Sequence, residues 1–164
     1  MRPIVYFLAS VIITVISQSA LAQNMVNMRI LSAAEPRPVL LNEVSMRAVR
    51  DFERTYKSAD NIKWFRAAEG FVVYCNQGGA SIKVFYSDKG HYKCTVRNYD
   101  ESGLPANVRH LVRSNYYDLT IFYVTEISTV NDKAYFIKLE GKTSWSEVKV
   151  MDGELIHVNE YSKG

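Results

Sequence analysis

The side chains that could do chemistry are scattered along this 164-residue chain rather than grouped. Its three histidines are His91 beside a turn, His110 in a helical segment and His157 in a late strand segment. None has a second histidine, a cysteine or a carboxylate at the spacing of a known metal site. We therefore interpret them as surface or core-edge residues, and we expect no metal and no cofactor.

The acidic turns and the serines do not form a catalytic motif either. Asp88-Lys89-Gly90 and Asp152-Gly153 are interpreted as hairpin turns, because each lacks the further carboxylates that a calcium loop requires. No serine stands in a Gly-x-Ser-x-Gly or Ser-x-x-Lys motif. We expect the protein not to be an enzyme. Convergent titratable residues in one cleft would favour the alternative.

The two cysteines, Cys75 and Cys94, are expected on the core face of the second and fourth strands of a four-stranded meander. With a strand between them, their Cα atoms would lie about 10 Å apart, beyond the ~7 Å limit for a disulfide. The sequence therefore predicts buried free thiols, and a disulfide would require another strand order. Neither thiol has a neighbouring helix N-terminus or histidine that would make it a nucleophile.

The N-terminal residues 1–22 have the pattern of a signal peptide. Arg2 precedes an apolar run from Ile4 to Ile16, and the small residues around Ala22 predict cleavage before Gln23. The apolar run is shorter than the ~20 residues that a membrane span needs. We expect a periplasmic or secreted protein with no stable membrane insertion after cleavage.

Residues 23–41 carry two prolines and no sustained period, so they are interpreted as a leader or linker. The remaining residues, 42–164, are enough for one domain with its own core. The formal net charge is only +3, and the basic residues are dispersed. Nucleic-acid binding, which requires a concentrated basic surface, is therefore not expected.

The hydrophobic period of the chain changes twice from helical to alternating. Apolar residues four apart from Val44 to Tyr56 predict an amphipathic helix, and Pro105 marks the start of a second one. Four strand segments separated by turn residues follow each helix. The predicted fold is α+β, with two tandem α-β4 units at 42–98 and 103–161. The helices would pack on one face of an antiparallel sheet.

Several segments are similar to the PepSY-like, beta-lactamase-inhibitor-protein-like family of exported bacterial proteins, common in Bacteroidetes-type bacteria. They are "VRDFERTYKSADNIKWFRAAEGFVVYC" (49–75), "VFYSDKGHYKCTVRNYDESGLPANVRHLVRSNYYDLTI" (84–121) and "TSWSEVKVMDGELIHVNEY" (143–161). The shared signs are Phe52 with Tyr56, Asn61 with Trp64, Asp88–Gly90, Leu104-Pro105 and Tyr116–Asp118. The resemblance implies the fold and an exported location, and it transfers no inhibitory residue by position.

The face opposite the predicted helices is unusually aromatic and basic. By alternation, the first unit places there Lys63, Phe65, Val72, Tyr74, Lys83, Phe85, Lys93, Thr95 and Arg97. Aromatic and arginine side chains are enriched at interface hot spots. The candidate partner-binding residues are Phe65, Tyr74, Lys83, Phe85, Lys93 and Arg97, with Tyr123, Tyr135 and Trp145 as weaker candidates in the second unit. The alternative is that aromatic residues simply suit half-exposed strands.

The resulting hypothesis is an exported, non-enzymatic binding protein. It would inhibit or regulate an envelope protein, periplasmic or secreted, through the open aromatic face of its sheet. The alternative is a periplasmic module that binds a small ligand or peptide, which would need a pocket between sheet and helices rather than a flat patch.

Overall fold

The computed structural model describes residues 37–163. The predicted signal peptide, residues 1–22, and most of the predicted leader lie outside these residues. The two α-helices in this range are α1 Met46–Thr55 and α2 Ala106–Asn115. The nine strands are β1 Arg37–Pro38, β2 Asp60–Ala67, β3 Gly70–Gln77, β4 Ala80–Tyr86, β5 Tyr92–Tyr99, β6 Thr120–Ser128, β7 Lys133–Glu140, β8 Ser144–Met151 and β9 Glu154–Ser162.

The nine strands form one antiparallel sheet in which the spatial order follows the chain from β1 to β9. We call β2–β5 the first half and β6–β9 the second half. Strand β5 pairs directly with β6, with Thr95 opposite Ser128 and Tyr99 opposite Val124, so the two halves share one continuous sheet. The two-residue strand β1 adds to the β2 edge, and the Val39 N–H donates to the Trp64 carbonyl oxygen at 3.1 Å. The predicted α+β fold with an antiparallel sheet is confirmed.

Both helices cover the same face of the sheet, which we call the helix face. Helix α1 buries Ala48, Val49 and Phe52, and α2 buries Val108 and Val112, which is the spacing of one helical stripe. These side chains join one apolar core with strand residues of both halves: Val73, Val84, Val124, Ile137 and Val148. The hydrophobic stripes of the two helices therefore position them on the sheet.

The other face, which we call the open face, has a smaller apolar cluster of Val72, Phe85 and Val96. Which residues of β5 join this cluster depends on a bulge between β4 and β5. Phe85 lies opposite Cys94 and Tyr86 lies opposite Tyr92, so Lys93 is an extra residue in β5. Because side chains alternate between faces, one extra residue exchanges the faces of every position that follows.

This bulge makes part of the predicted first-unit surface wrong. Cys94, predicted on the core face, packs in the open-face cluster. Thr95 and Arg97, predicted on the open face, lie on the helix face, where the Thr95 hydroxyl is 3.1 Å from that of Tyr56 at the end of α1. Simple alternation along β5 did not reveal the bulge.

The cysteines are free thiols, as the predicted strand order required. Cys75 lies in β3 and Cys94 in β5, with β4 between them, and their side chains pack in clusters on opposite faces. Burial raises the pKa of the Cys94 thiol to about 11, and burial followed by the charge of Asp60 raises the pKa of Cys75. The nucleophilic thiolate is therefore disfavoured at both positions.

Candidate functional site

Four of the six predicted binding residues come together on the open face of the first half. The rings of Phe65 and Tyr74 lie 4.8 Å apart, and the Lys83 Nζ lies 5.1 Å from the centre of the Tyr74 ring. Phe85 joins them across Val72, which stands between Phe65 and Phe85 in the strand register. We call Phe65, Tyr74, Lys83 and Phe85 the first-half cluster. Phe85 is only 8% exposed, so much of this cluster is covered by its own members.

The other two predicted residues make separate contacts. Lys93 stands at the bulge, and its Nζ forms an ion pair with Glu69 at 3.1 Å. The Arg97 Nη1 lies 3.8 Å from Glu126 on the helix face, and its guanidinium lies 5.6 Å from the centre of the Tyr99 ring. Arg97 therefore does not belong to the open-face surface, and whether the first-half cluster binds a partner stays a prediction.

The open face of the second half is shaped differently, because its aromatic residues surround a concavity of about 440 Å³. We call this concavity the second-half cleft. Tyr123 lies opposite Lys138, which lies opposite Glu147, while Trp145 lies opposite Tyr161. The residues that line it are Tyr123, Thr125, Phe136, Lys138, Trp145, Ser146, Glu147 and Tyr161.

The indole of Trp145 is contacted by one aromatic ring and two ammonium groups. The Phe122 ring meets it edge-on, with centroids 5.0 Å apart and planes at 70°. The Nζ atoms of Lys138 and Lys163 each lie 4.7 Å from the centre of a Trp145 ring, which is within the range of a cation–π interaction. The Lys163 ammonium is also held by Glu140 at 2.7 Å. The indole is therefore oriented before any ligand arrives.

A second bulge exposes two aromatic side chains that are adjacent in the chain, Phe122 and the cleft residue Tyr123. The pairing of β6 with β7 shifts register between Ile121 and Tyr123. Phe122 and Tyr123 are 53% and 43% exposed, although they are adjacent in the chain. A regular strand would send them to opposite faces. Together with Tyr161, which is 53% exposed, they leave a large apolar area uncovered.

The weaker sequence candidates divide between the two faces. Tyr123 and Trp145 line the cleft, but Tyr135 is only 8% exposed and belongs to the core under the helices. The placement of Tyr135 on the open face was wrong, and Phe136, which lines the cleft, was missed. The buried aliphatic residues Ile137 and Leu139 could have corrected both, because Tyr135 has their parity and Phe136 has the other.

A buried carboxylate joins the two halves on the helix face. Glu126 in β6 accepts a hydrogen bond from the Tyr99 hydroxyl of β5 at 2.6 Å and an ion pair from Lys133 at 3.2 Å. Burial alone would raise the pKa of Glu126, but the Tyr99 hydrogen bond, the Lys133 ammonium and the Arg97 charge together lower it. The charged Glu126 carboxylate therefore has a structural role, because its oxygens already interact with Tyr99 and Lys133.

Within residues 37–163, no three His, Cys, Asp or Glu side chains converge in a way that could hold a metal ion. No helix in this range is both long and apolar enough to cross a membrane. The expectation that the protein is not an enzyme stays a prediction.

Comparisons with known proteins show the fold. No family model and no curated protein matches the sequence. A crystal structure of a BLIP-like protein from Bacteroides fragilis is similar with a TM-score of 0.57 at 19% identity, over 74% of this chain and 89% of that chain. A DUF2874 family protein from Bacteroides uniformis is similar with a TM-score of 0.55 at 10% identity, over 73% of this chain and 89% of that one.

A third structure, a candidate periplasmic protein from Bacteroides eggerthii, has a TM-score of 0.55 at 13% identity, over 73% of this chain and 88% of that chain. The resemblance to the beta-lactamase-inhibitor-protein-like proteins of Bacteroidetes-type bacteria is therefore confirmed at the level of the fold.

Proposed function

We propose that this chain is an exported, periplasmic protein that binds another protein against the open face of its sheet, with the second-half cleft at the centre of the contact. The observation that carries the proposal is the oriented indole of Trp145 among exposed aromatic rings. Export is supported by the signal-peptide pattern of residues 1–22 and by the periplasmic description of the Bacteroides eggerthii relative in fold.

The chemistry of the cleft suits a protein surface. Tryptophan and tyrosine bury a large area with few rotatable bonds, and they are the residues that most often dominate interface energies. Here they project from paired strands, so little backbone entropy is lost on binding. Lys138 and Lys163 add positive charge beside the indole. A partner with apolar side chains bordered by acidic residues would complement both features.

Inhibition or regulation of an envelope enzyme is the activity we propose for such a surface. The fold is shared with a BLIP-like protein, and the cleft offers rigid aromatic anchors of the kind that can block a partner's own site. Fold alone does not determine function, so the proposal depends on the cleft and not on the likeness.

A second candidate is the binding of a small ligand or short peptide in the same cleft. The volume of about 440 Å³ favours it, since ligand pockets commonly measure roughly 300–1,000 Å³. A small ligand at saturating concentration would raise the melting temperature of the isolated protein. A screen of peptides and sugars by thermal shift would detect that effect.

We further propose that the two α-β4 segments are tandem repeats. Both have a bulge between their first two strands and a second bulge between their last two. In both, a tyrosine ends the helix, with the Tyr56 N–H donating to Phe52 O at 2.8 Å and the Tyr116 N–H donating to Val112 O at 2.9 Å. The cleft and the first-half cluster then occupy corresponding positions of two copies of one framework.

Affinity capture from envelope extract tests the proposed function. The mature protein, a Trp145→Ala/Tyr161→Ala double variant and a Tyr117→Ala control would be compared as bait. Tyr117 is 85% exposed and does not line the cleft, so the control removes an exposed tyrosine that is not part of it. We expect one protein to be held by the mature chain and the control and lost by the double variant.

Two outcomes would contradict the proposal. Equal capture by all three baits would show that binding does not use the cleft. Capture of nothing, combined with a ligand-dependent thermal shift that the double variant abolishes, would favour the small-ligand candidate instead.

A further inference from the structure

A second concavity lies between α1 and the turn that joins β4 to β5. None of its lining residues belongs to the second-half cleft. Its volume is about 570 Å³. Three arginines from α1 and one histidine from the strand connection line it. The full lining is Arg47, Arg50, Asp51, Arg54, Gly90, His91 and Tyr92. We call this concavity the arginine pocket.

The helical period concentrates the positive charge of the arginine pocket. Arg47, Arg50 and Arg54 are spaced three and four residues apart, which places them on one side of α1. The buried residues of the helix, Ala48 and Phe52 among them, point to the sheet. The three guanidinium groups therefore form a strip on the exposed side, next to the β4–β5 connection.

The turn that forms the opposite wall of the pocket packs closely against α1 because Gly90 has no side chain. Gly90 has φ +77°, and a Cβ atom there would lie 2.9 Å from the Ala48 backbone nitrogen and would also meet the Ser45 hydroxyl. Only glycine allows this backbone to approach so closely. The approach brings the His91 Nε2 to 3.3 Å from the Arg47 Nη1. The pocket is thus built from two elements in fixed contact.

The acidic groups near the pocket are already engaged. Asp51 accepts from Arg54 at 2.8 Å with one oxygen and from the Tyr86 hydroxyl at 3.1 Å with the other. Asp88 in the turn pairs with Arg66 at 2.6 Å. Among residues 37–163, no carboxylate pairs with Arg47 or Arg50. Arg50 therefore keeps its donors for a ligand, and Arg47 keeps all but the one that faces His91.

We propose that the arginine pocket binds a phosphate group. Three arginines and one aspartate leave two positive charges in the lining, which matches the charge of about −1.5 to −2 on a phosphate monoester at neutral pH. Guanidinium forks bind phosphate oxygens in pairs, and Arg47 and Arg50 each bring such a fork to the pocket.

The source of the phosphate is either the inorganic ion or an organic phosphate monoester. The volume of the pocket exceeds that of a phosphate group alone, so we expect a monoester whose organic part lies along the ring of Tyr92. The Tyr92 hydroxyl is already committed to the Ser128 carbonyl at 2.9 Å. Tyr92 therefore contributes its aromatic ring to the wall of the pocket and no hydrogen-bond donor to the ligand.

Isothermal titration calorimetry tests this site. Inorganic phosphate and glucose 6-phosphate would each be titrated into the mature protein, with ionic strength held constant by sodium chloride. Arg50→Gln and Arg47→Gln would be compared with Lys142→Gln, which removes the same charge from an exposed turn before β8. Both arginines are on the exposed side of α1, and circular dichroism melting would verify that each variant is folded.

We expect saturable binding by the mature protein and by Lys142→Gln, and at least tenfold weaker binding by each arginine variant. Tighter binding of glucose 6-phosphate than of phosphate would identify an organic monoester, and equal binding would identify the inorganic ion. No saturable heat with either probe would overturn the proposal. Equal affinity of the arginine variants and the mature protein would also overturn it, because binding would then be elsewhere.

Discussion

The open face of the sheet carries aromatic residues in both halves, but the two halves use them differently. In the first half, Phe65 and Phe85 lie on either side of Val72, which is 2% exposed, so the three side chains cover one another. In the second half, the row across the strands runs from Tyr123 to Lys138 and Glu147, and no aliphatic side chain fills its centre.

The difference shows that aromatic content alone does not distinguish an accessible aromatic surface from a small second core. The residue that lies across the strands from each ring accounts for the difference. A β-branched residue packs between the rings and buries them, whereas a lysine with its charge in solvent leaves the rings accessible. Phe85 is 8% exposed, while Tyr161 is 53% exposed. The first half is therefore expected to respond to truncation through stability and the second half through binding.

The largest expected effect is that of Phe85→Ala. Because Phe85 is buried in the open-face cluster, its loss should reduce the free energy of unfolding by about 4 kcal/mol. Urea unfolding followed by circular dichroism measures it. Tyr161→Ala is the matched truncation in the second half and should cost less than about 1 kcal/mol. Equal losses of unfolding free energy from the two substitutions would contradict the proposal that the first half responds through stability and the second half through binding.

A comparison of corresponding glycines comes next. Gly90 and Gly153 both lie in turns between the last two strands of their halves, with φ +77° and +81°. Alanine at Gly153 meets no atom within 4 Å, so Gly153→Ala should cost only about 1 kcal/mol for the left-handed backbone. Gly90→Ala should cost about 3 kcal/mol, because the new Cβ also meets α1.

Thermal unfolding of both glycine variants measures this difference. A melting temperature for Gly90→Ala equal to that of Gly153→Ala would show that the β4–β5 turn is not held against the helix.

Trp145→Ala should separate binding from stability. Removing the indole should weaken binding of a partner captured on the cleft by about 2 kcal/mol, the magnitude of an interface hot spot. The Tyr74→Ala variant in the first-half cluster should change the same affinity by less than about 0.5 kcal/mol. Surface plasmon resonance with the captured partner measures both. If Tyr74→Ala weakened binding of the partner and Trp145→Ala did not, the binding surface would lie in the first half instead of the second.

The smallest effect concerns the junction between the halves and depends on pH. The pKa of Glu126 is lower in the folded protein than in the unfolded chain, so its charge stabilises the fold above the unfolded value of about 4.3. This stabilisation is lost as the pH falls through the lower, folded pKa. Glu126→Gln should cost about 1.5 kcal/mol at neutral pH, and the difference from the unmodified protein should shrink in acid.

Urea unfolding of both proteins from pH 7 to pH 3 checks the sign. A difference that grows as the pH falls would mean that Glu126 is not held as a carboxylate by Tyr99 and Lys133.

The helices and strands could be predicted closely from hydrophobic period and turn residues. The helix predicted from Val44 to Tyr56 corresponds to Met46–Thr55, and the one predicted to start at Pro105 corresponds to Ala106–Asn115. Periodicity succeeds there because each element buries one side against a single core. It failed in β5, where the extra residue Lys93 exchanged the faces of Thr95 and Arg97.

The second-half cleft could be predicted only in part for the same reason. A bulge depends on how two strands pair, which no single strand segment encodes, so the joint exposure of Phe122 and Tyr123 was not foreseeable from alternation. The Lys163 contact with Trp145 joins β8 to the residue after β9, and its position follows from the strand register. Tyr135 was misplaced although its aliphatic neighbours carried the correct parity.

Photo-crosslinking in envelope extract tests most directly whether a partner binds the second half of the open face. Benzoylphenylalanine would replace Tyr161 in the lining of the cleft, Tyr74 in the first-half cluster or Tyr117 in the turn before β6, so that one residue type is compared at three places. We predict a specific crosslinked protein from position 161 and none from positions 74 and 117. A crosslink from position 74 at equal or higher yield, or none from position 161, would contradict the assignment of binding to the second-half cleft.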